Sequence, residues 1–391
     1  MELKDSKYKM TDIGLIPSDW DVELLNELTT KIGSGITPTG GSSVYKEDGR
    51  PLVRSQNIGW GKLLLDDIVY INDETHQTFP NTEVKLNDVF LNISGASIGR
   101  TSFANEKLVG GNVNQHVCII RTIQTILNPN FLNLFLLSKN GQKQIDSFQS
   151  GGNRQGLNIS QIKTFQIPLP PTLTEQTAIA TALSDADALI TQLERLIAKK
   201  RAIKQGAMQE LLRPKEGWEV KPIGIVADLY QPVTISQEHF TEDGFLVYGA
   251  NGIIGRYSKF NHENWQTTIT CRGSTCGTVN KTVDKCWITG NAMVANVDRN
   301  SSVDKLFFYF LLTRQDFTNC ITGSGQPQIV RKPLSEFKIS LPENKTTQHH
   351  IAKILSDVDN EIQELEKKLE KYKMLKQGMM QNLLTGKIRL I

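Results

Sequence analysis

The sequence predicts a mixed α/β protein laid out twice: strands with one short apolar helix, then a long helix, then the same order again. Three observations predict it. Residues 175–212 recur, without a gap, 172 positions further on. Each copy spaces its apolar residues by alternating steps of four and three, the period of a helix with one buried seam. Upstream of each copy, strand-like runs alternate with glycine turns and lead to a single apolar helix.

The long helices carry the plainest signal. Gln176/Gln348, Ile179/Ile351, Leu183/Leu355, Asp187/Asp359 and Glu194/Glu366 are identical pairs, as are Lys204-Gln205-Gly206 and Lys376-Gln377-Gly378. In the second copy the seam is Ile351, Leu355, Val358, Ile362, Leu365, Leu369, Tyr372, Leu375, Met379 and Leu383. The first copy offers Leu183, Ala186, Ile190, Leu193 and Ile197, then meets Lys200 and Lys204, so its middle should turn polar. Some 36 residues make a helix of roughly 54 Å. One apolar stripe of that length needs a partner helix, and the other copy is the candidate; the alternative is separate packing on each domain.

The flanking elements follow in order. Trp20, in Ile16-Pro17-Ser18-Asp19-Trp20, is matched by Trp218 after the first long helix, now at an offset of 198, so the second half is 26 residues shorter there. Leu52-Val53 pairs with Leu246-Val247. The strand-like runs 88–94 and 267–271 lead into Gly95/Gly99 and Gly273/Gly277, whose spacing suggests turns that only glycine permits. Strands at 115–121 and 292–297 and helices at 129–139 and 303–314 complete each domain. The alternation of Phe165, Ile167 and Leu169, repeated as Phe337, Ile339 and Leu341, reads as a half-buried exit strand. Thr172 or Thr174 then caps the helix, with Glu175 at its positive end. The divisions are a first domain at 1–172, a helix at 173–213, a second domain at 214–344, and a helix with its tail at 345–391.

Composition narrows the function. No run of about eighteen apolar residues occurs and the first residues lack a signal core, so a soluble cytoplasmic protein without membrane contact is expected. The five cysteines, Cys118, Cys271, Cys276, Cys286 and Cys320, form no CxxC pair and read as buried free thiols. The net charge of +3 is spread evenly: −1 over 1–170, +1 over 171–213, +1 over 214–342 and +2 over 343–391. DNA binding would therefore need local patches, base reading or a partner with more positive charge.

Catalytic motifs are lacking. There is no GxxxxGK[ST], HExxH, GxSxG or amino-methyltransferase tetrapeptide. Gly33-Ser34-Gly35 with Gly40-Gly41 is not GxGxxG and reads as a flexible or substrate-facing loop. Asp73 with Glu83-Val84-Lys85 is only a faint match to a nuclease metal site, and His349-His350 has no further ligand spacing. No catalytic or metal residue is assigned.

Recognition chemistry remains. Loops rich in Ser, Asn, Gln and Arg suit base reading, because Arg pairs with guanine and Asn or Gln with adenine. The candidates in the first domain are Arg54, Gln56, Asn57, Ser97, Arg100, Asn112, Asn114, Gln115, Asn153, Arg154 and Gln155. Those in the second are Tyr248, Asn251, Arg272, Ser274, Thr275, Asn291, Gln326, Gln328 and Arg331.

With these residues in hand the chain resembles, over essentially its full length, the specificity subunit of type I restriction-modification systems. The motifs are Gly14-Leu15-Ile16-Pro17-Ser18-Asp19-Trp20, the run 167–176 from Ile-Pro-Leu-Pro-Pro to Glu-Gln, and the run 376–387 from Lys-Gln-Gly to Gly-Lys. The resemblance implies two target-recognition domains of mixed α/β fold reading the halves of a bipartite, gapped site in double-stranded DNA. The long helices would pair as an antiparallel coiled coil, a spacer that docks two methyltransferase subunits, with restriction-translocase subunits joining them. Glu175, Gln176, Gln205, Gln209, Gln348, Gln377 and Gln381 are the partner-facing candidates. S-adenosylmethionine, ATP and Mg are expected on the partners, and no cofactor in this chain. One departure is Leu341-Pro342-Glu343-Asn344, which lacks the second proline of the first copy, so its partner contacts are expected to be weaker. Two other classes stay open: a DNA-acting nuclease or modification enzyme, and a coiled-coil scaffold that binds protein only.

Overall fold

The structure, a computed structural model, describes residues 8–149, 156–323 and 327–390. The chain forms two compact units, Met1–Leu193 with Lys368–Ile391, and Glu194–Lys367. Each long helix contributes one part to each unit.

In the first unit a four-stranded antiparallel sheet has the order Thr29–Ser34, Val117–Thr122, Val89–Asn92, Thr101–Phe103. Beside it lies a three-stranded sheet in which Arg50–Val53 pairs antiparallel with Val69–Ile71 and parallel with Asn112–Val113. The second unit repeats both. Its four strands run Asp228–Tyr230, Ala292–Asn296, Thr267–Thr270, Val279–Lys281, and Phe245–Gly249 pairs antiparallel with Gly252–Tyr257 and parallel with Trp287–Ile288. The strands and short helices expected from the sequence all form.

The strand Val117–Thr122 is almost continuously apolar because both its faces are covered. Side chains alternate across a strand, so Cys118 and Ile120 join a core with Leu132 and Phe135 of the helix Pro129–Leu137, while Val117 and Ile119 join Val53 and Val113. In the second unit Met293 and Ala295 pack with Phe307 and Phe308, while Ala292 and Val294 pack with Tyr248 and Ile288. Asn128 caps the first short helix and Asp304 its counterpart Lys305–Thr313, each side chain accepting two backbone N–H groups.

The exit strand of each unit pairs with a strand near its start. Gln166–Leu169 lies antiparallel to Asp21–Leu24, and Lys338–Pro342 to Trp218–Pro222. Trp20 is fully buried; Trp218 packs edge-on against Phe307 at 6.2 Å.

The long helices, Leu173–Leu211 and Lys345–Leu383, each have 39 residues and begin and end at the offset of 172. Thr172, rather than Thr174, caps the first: its Oγ1 accepts from the Glu175 N–H at 3.2 Å. Asn344 caps the second, accepting from the Thr346 N–H at 2.7 Å. Leu183, Ile190, Leu193, Ile197, Ile351, Leu355, Ile362 and Leu383 are buried. Leu375 departs from the expected seam and is 53% exposed.

The middle of the seam is polar, as Lys200 and Lys204 suggested. In the second unit Lys200 reaches Glu361 at 2.8 Å, Arg201 reaches Glu366 at 2.6 Å and Lys204 reaches Asp359 at 2.5 Å. In the first unit Lys376 reaches Asp187 at 2.5 Å. The pairs Lys204–Asp359 and Lys376–Asp187 are one contact made twice at the repeat offset.

The tail beyond Leu383 folds back in the first unit. Arg389 lies over the Trp20 ring, 5.7 Å from its centroid, and binds both Asp19 and Glu175.

All five cysteines are free; only Cys276 is not buried. Burial pushes the Cys118 thiol up to about 12 and that of Cys271 to about 11. Asp73 and Glu83 meet Arg50, at 2.5 and 3.7 Å, and Glu83 also faces His76 at 3.5 Å. Arg50 holds the Asp73 carboxyl below its usual range. Among the described residues no cluster of His, Cys, Asp and Glu could hold a metal ion, and no helix is long and apolar enough to cross a membrane.

Candidate nucleic-acid interface

Sheet order brings separated loops of each unit to one edge. In the first unit Ser34 pairs with Cys118 and Asn92 with Val117, so the ends of the two strands flanking Val117–Thr122 meet its start. The parallel pairing of Val53 with Val113 delivers the next two loops to the same end, where the Asn114 N–H donates to the Val53 carbonyl at 2.9 Å. Gly35 donates to the Asn114 carbonyl at 3.2 Å, and a Cβ there would lie 1.7 Å from the Val113 carbonyl oxygen. Only glycine allows that approach. The Asn92 amide donates to the Ser55 carbonyl at 2.8 Å, and Ser94 bridges Gly156. Loops 35–44, 54–57, 94–99 and 114–116 thus converge.

The second unit builds the same edge from different residues. The Thr289 N–H donates to the Tyr248 carbonyl at 3.0 Å, the Gly290 N–H to the Thr234 hydroxyl at 3.2 Å, and the Cys271 N–H to the Asn291 carbonyl at 3.1 Å. Arg272 bridges Gln328, and the Gly273 N–H donates to the Pro327 carbonyl at 3.1 Å. Gly95 and Gly99 in one unit and Gly273 and Gly277 in the other all have positive φ, as their spacing predicted.

The candidate residues divide into those on the edge and those inside it. Gln56, Gln115, Asn251, Arg272, Ser274, Thr275, Gln328 and Arg331 are exposed, and Ser97, Arg100 and Asn291 are half-buried. Gln56 already bonds Asp67. Several expectations are corrected by burial. Asn57 is fully buried: its Oδ1 accepts from the Arg54 N–H at 2.9 Å and its amide donates to Leu64 and Asp67, so it shapes its loop. Asn112 is fully buried between His76, Phe79 and Thr82. Asn114 is nearly buried and accepts from the His116 N–H at 3.1 Å; Tyr248 is packed in the core. Arg54 is half-buried, donating to the Asp67 carbonyl at 2.5 Å beneath the Tyr45 ring. Asn153, Arg154, Gln155 and Gln326 lie outside the described residues.

Of the partner-facing candidates, Gln205, Gln209, Gln377 and Gln381 are exposed. Glu175, Gln176 and Gln348 are not: they are 4%, 1% and 1% exposed and fully engaged within their own units. Gln377 and Gln381 line a surface cavity of about 530 Å³ with Leu137, Met380 and Leu384.

Three residues beside Gln115 had no signal in the sequence. Thr37, from the glycine-rich loop, donates its hydroxyl to the Gln115 Oε1, and Ser94 meets Nδ1 of His116. Only the sheet order brings these loops together.

A family model described as the type I restriction modification DNA specificity domain matches residues 17–205 and again 215–372. The chain belongs to this family. Two Methanocaldococcus jannaschii proteins align over 99% of the chain and 97% of their own length at 25% and 22% identity, the second named type I restriction enzyme MjaVIII specificity subunit. The fold of this specificity chain is shared with the S subunit of a type I restriction-modification system from M. genitalium, at a TM-score of 0.65 and 18% identity over 97% of this chain and 98% of that one. The HsdS subunit from Thermoanaerobacter tengcongensis gives 0.52, also at 18%, over 95% and 98%. The repeated unit is therefore the specificity domain, present twice.

Proposed function

We propose that this chain is the DNA-specificity subunit of a type I restriction-modification complex, with each unit reading one half of a bipartite gapped site. The observation that carries this is the edge of converging loops, built twice on one backbone plan from unlike side chains. A shared frame with divergent loops is what two different half-sites require.

In this reading residues 1–172 and 214–344 are the target-recognition domains, and 173–213 and 345–391 the spacer helices. Those helices pair antiparallel as a coiled coil, supported by the Lys204–Asp359 and Lys376–Asp187 contacts, and so set the gap. Two methyltransferase subunits dock on the frame, with Gln205, Gln209, Gln377 and Gln381 as the exposed candidates for contact, and restriction-translocase subunits join them. S-adenosylmethionine, ATP and Mg belong to those cytoplasmic partners, and this chain performs no catalysis. Near-neutral charge suits this division of labour, because the partners can supply phosphate contacts.

Domain exchange tests it. Replacing residues 214–344 with the equivalent domain of another specificity chain, then mapping methylated bases in cells carrying the partner, should change one half of the motif and preserve the other. A motif changed in both halves, or an ungapped one, would refute it. The purified chain with Mg, S-adenosylmethionine and DNA should neither cut nor methylate.

A further inference from the structure

Gln115 stands exposed at the point where the loops of the first unit meet, and its amide is held from both sides. Its Oε1 accepts from the Thr37 hydroxyl. Its Nε2 lies 2.8 Å from Nε2 of His116. An amide nitrogen can only donate, so the imidazole Nε2 is the acceptor and the ring proton sits on Nδ1, facing the Ser94 hydroxyl. The His116 backbone N–H is fixed in turn by Asn114, at 3.1 Å.

The order of donor and acceptor on Gln115 is thereby set. An amide carries two N–H donors and two acceptor lone pairs. One of each is engaged, which leaves one donor and one acceptor on an exposed side chain. Adenine is the base whose major-groove edge offers the matching pair, the N7 acceptor and the N6 donor. Guanine offers two acceptors there, and cytosine and thymine offer one polar group each.

We propose that Gln115 reads a single adenine in the half-site of the first unit, and that Thr37 and His116 are positioning residues that fix the orientation of its amide. The proposal rests on the DNA-reading function above. A side chain held in one orientation before binding loses less freedom on binding, and a flipped amide would present its groups in the wrong order.

The test selects sites from random duplexes with the full chain in complex with its methyltransferase partner. A wild-type complex that returns no gapped motif would sink the DNA-reading function itself. Given a gapped motif, Q115A should lose preference at one adenine of the first half-site by about tenfold to a hundredfold, with all other positions kept. An unchanged motif, or equal weakening across the half-site, overturns the role of Gln115. T37V and H116A should relax that same position, and H116Q, whose carbonyl oxygen can stand in for the imidazole acceptor, should restore it. Relaxation elsewhere, or no rescue by H116Q, overturns the positioning role. Replacing that adenine by 7-deazaadenine, which lacks N7, should weaken wild type about tenfold and leave Q115A unaffected; an equal loss in both also refutes the proposal.

Discussion

Gln176 and Gln348, 172 positions apart, bury the same amide in the same joint. The Oε1 of each accepts from the backbone N–H of the residue capping the short apolar helix, Asn128 and Asp304, both at 2.8 Å. The Nε2 of Gln176 donates to the carbonyls of Ile126 and Pro170, and that of Gln348 to those of Ser302 and Pro342. One side chain thus joins the long helix, the short helix and the exit strand of its unit.

Replacing either glutamine with alanine should therefore destabilise the protein, because the backbone groups at that joint lose the partner that the amide supplies. With about 1–3 kcal/mol for each unsatisfied group and some relaxation, Q176A and Q348A should each cost about 2–4 kcal/mol. Urea unfolding would measure it. A loss below about 0.5 kcal/mol, the size of an ordinary surface change, would show that the joint does not depend on the amide.

Arg389 gives a second prediction. Its Nη2 donates to Glu175 at 2.7 Å and its Nη1 to Asp19 at 2.9 Å, while Glu175 itself is buried. R389A leaves a buried carboxylate without its partner, which costs about 3–5 kcal/mol. The double variant R389A/E175Q removes that charge and should recover most of the loss. Thermal unfolding of the two variants compares them directly; equal losses would mean that packing of Arg389 on Trp20 matters more than the charge.

The frame was legible in the sequence because it is written in periods. The 172-residue offset, the heptad seam and the alternation of Phe165, Ile167 and Leu169 each survive reading residue by residue. The edge was not, because it depends on a sheet order that skips along the chain: Thr29–Ser34 neighbours Val117–Thr122, and that strand neighbours Val89–Asn92. No local pattern tells that Thr37 meets Gln115. Asparagine is equally ambiguous, since the short amide that reads a base also braces a loop. Asn57 and Asn112 do the second, whereas Asn251 is exposed and its Oδ1 accepts from the Asn280 amide at 3.3 Å, yet all three sit in similar polar stretches.

Burial of the thiols predicts their reactivity. Cys118 is raised to about 12 and Cys271 to about 11, so at pH 8 both are almost wholly protonated and unreactive. Ellman's reagent should find Cys276 first in the folded chain and all five after unfolding. The sign of the linked stability follows. These thiols hold their protons more tightly when folded, so their contribution is complete below the unfolded value near 8.5 and is lost as pH rises towards 11 to 12. Serine at Cys118 should flatten part of that alkaline loss; an unchanged slope would remove the thiol as its cause.

The repeated ion pair gives the last prediction, about spacing. Lys204 with Asp359 and Lys376 with Asp187 are partly exposed and should each contribute less than about 1 kcal/mol, so they mark register more than they add stability. Inserting one heptad between Asp187 and Lys204, and a second between Asp359 and Lys376, keeps each pair within its own unit and preserves the apolar phase. Seven helical residues add about 10 Å. At 3.4 Å per base pair the gap should lengthen by about three base pairs, with both half-motifs unchanged. A seven-residue insertion in one helix alone breaks the register and should abolish the gapped motif instead. Methylation mapping reads all three cases, and a half-motif altered by the paired insertion would count against the helices as a spacer.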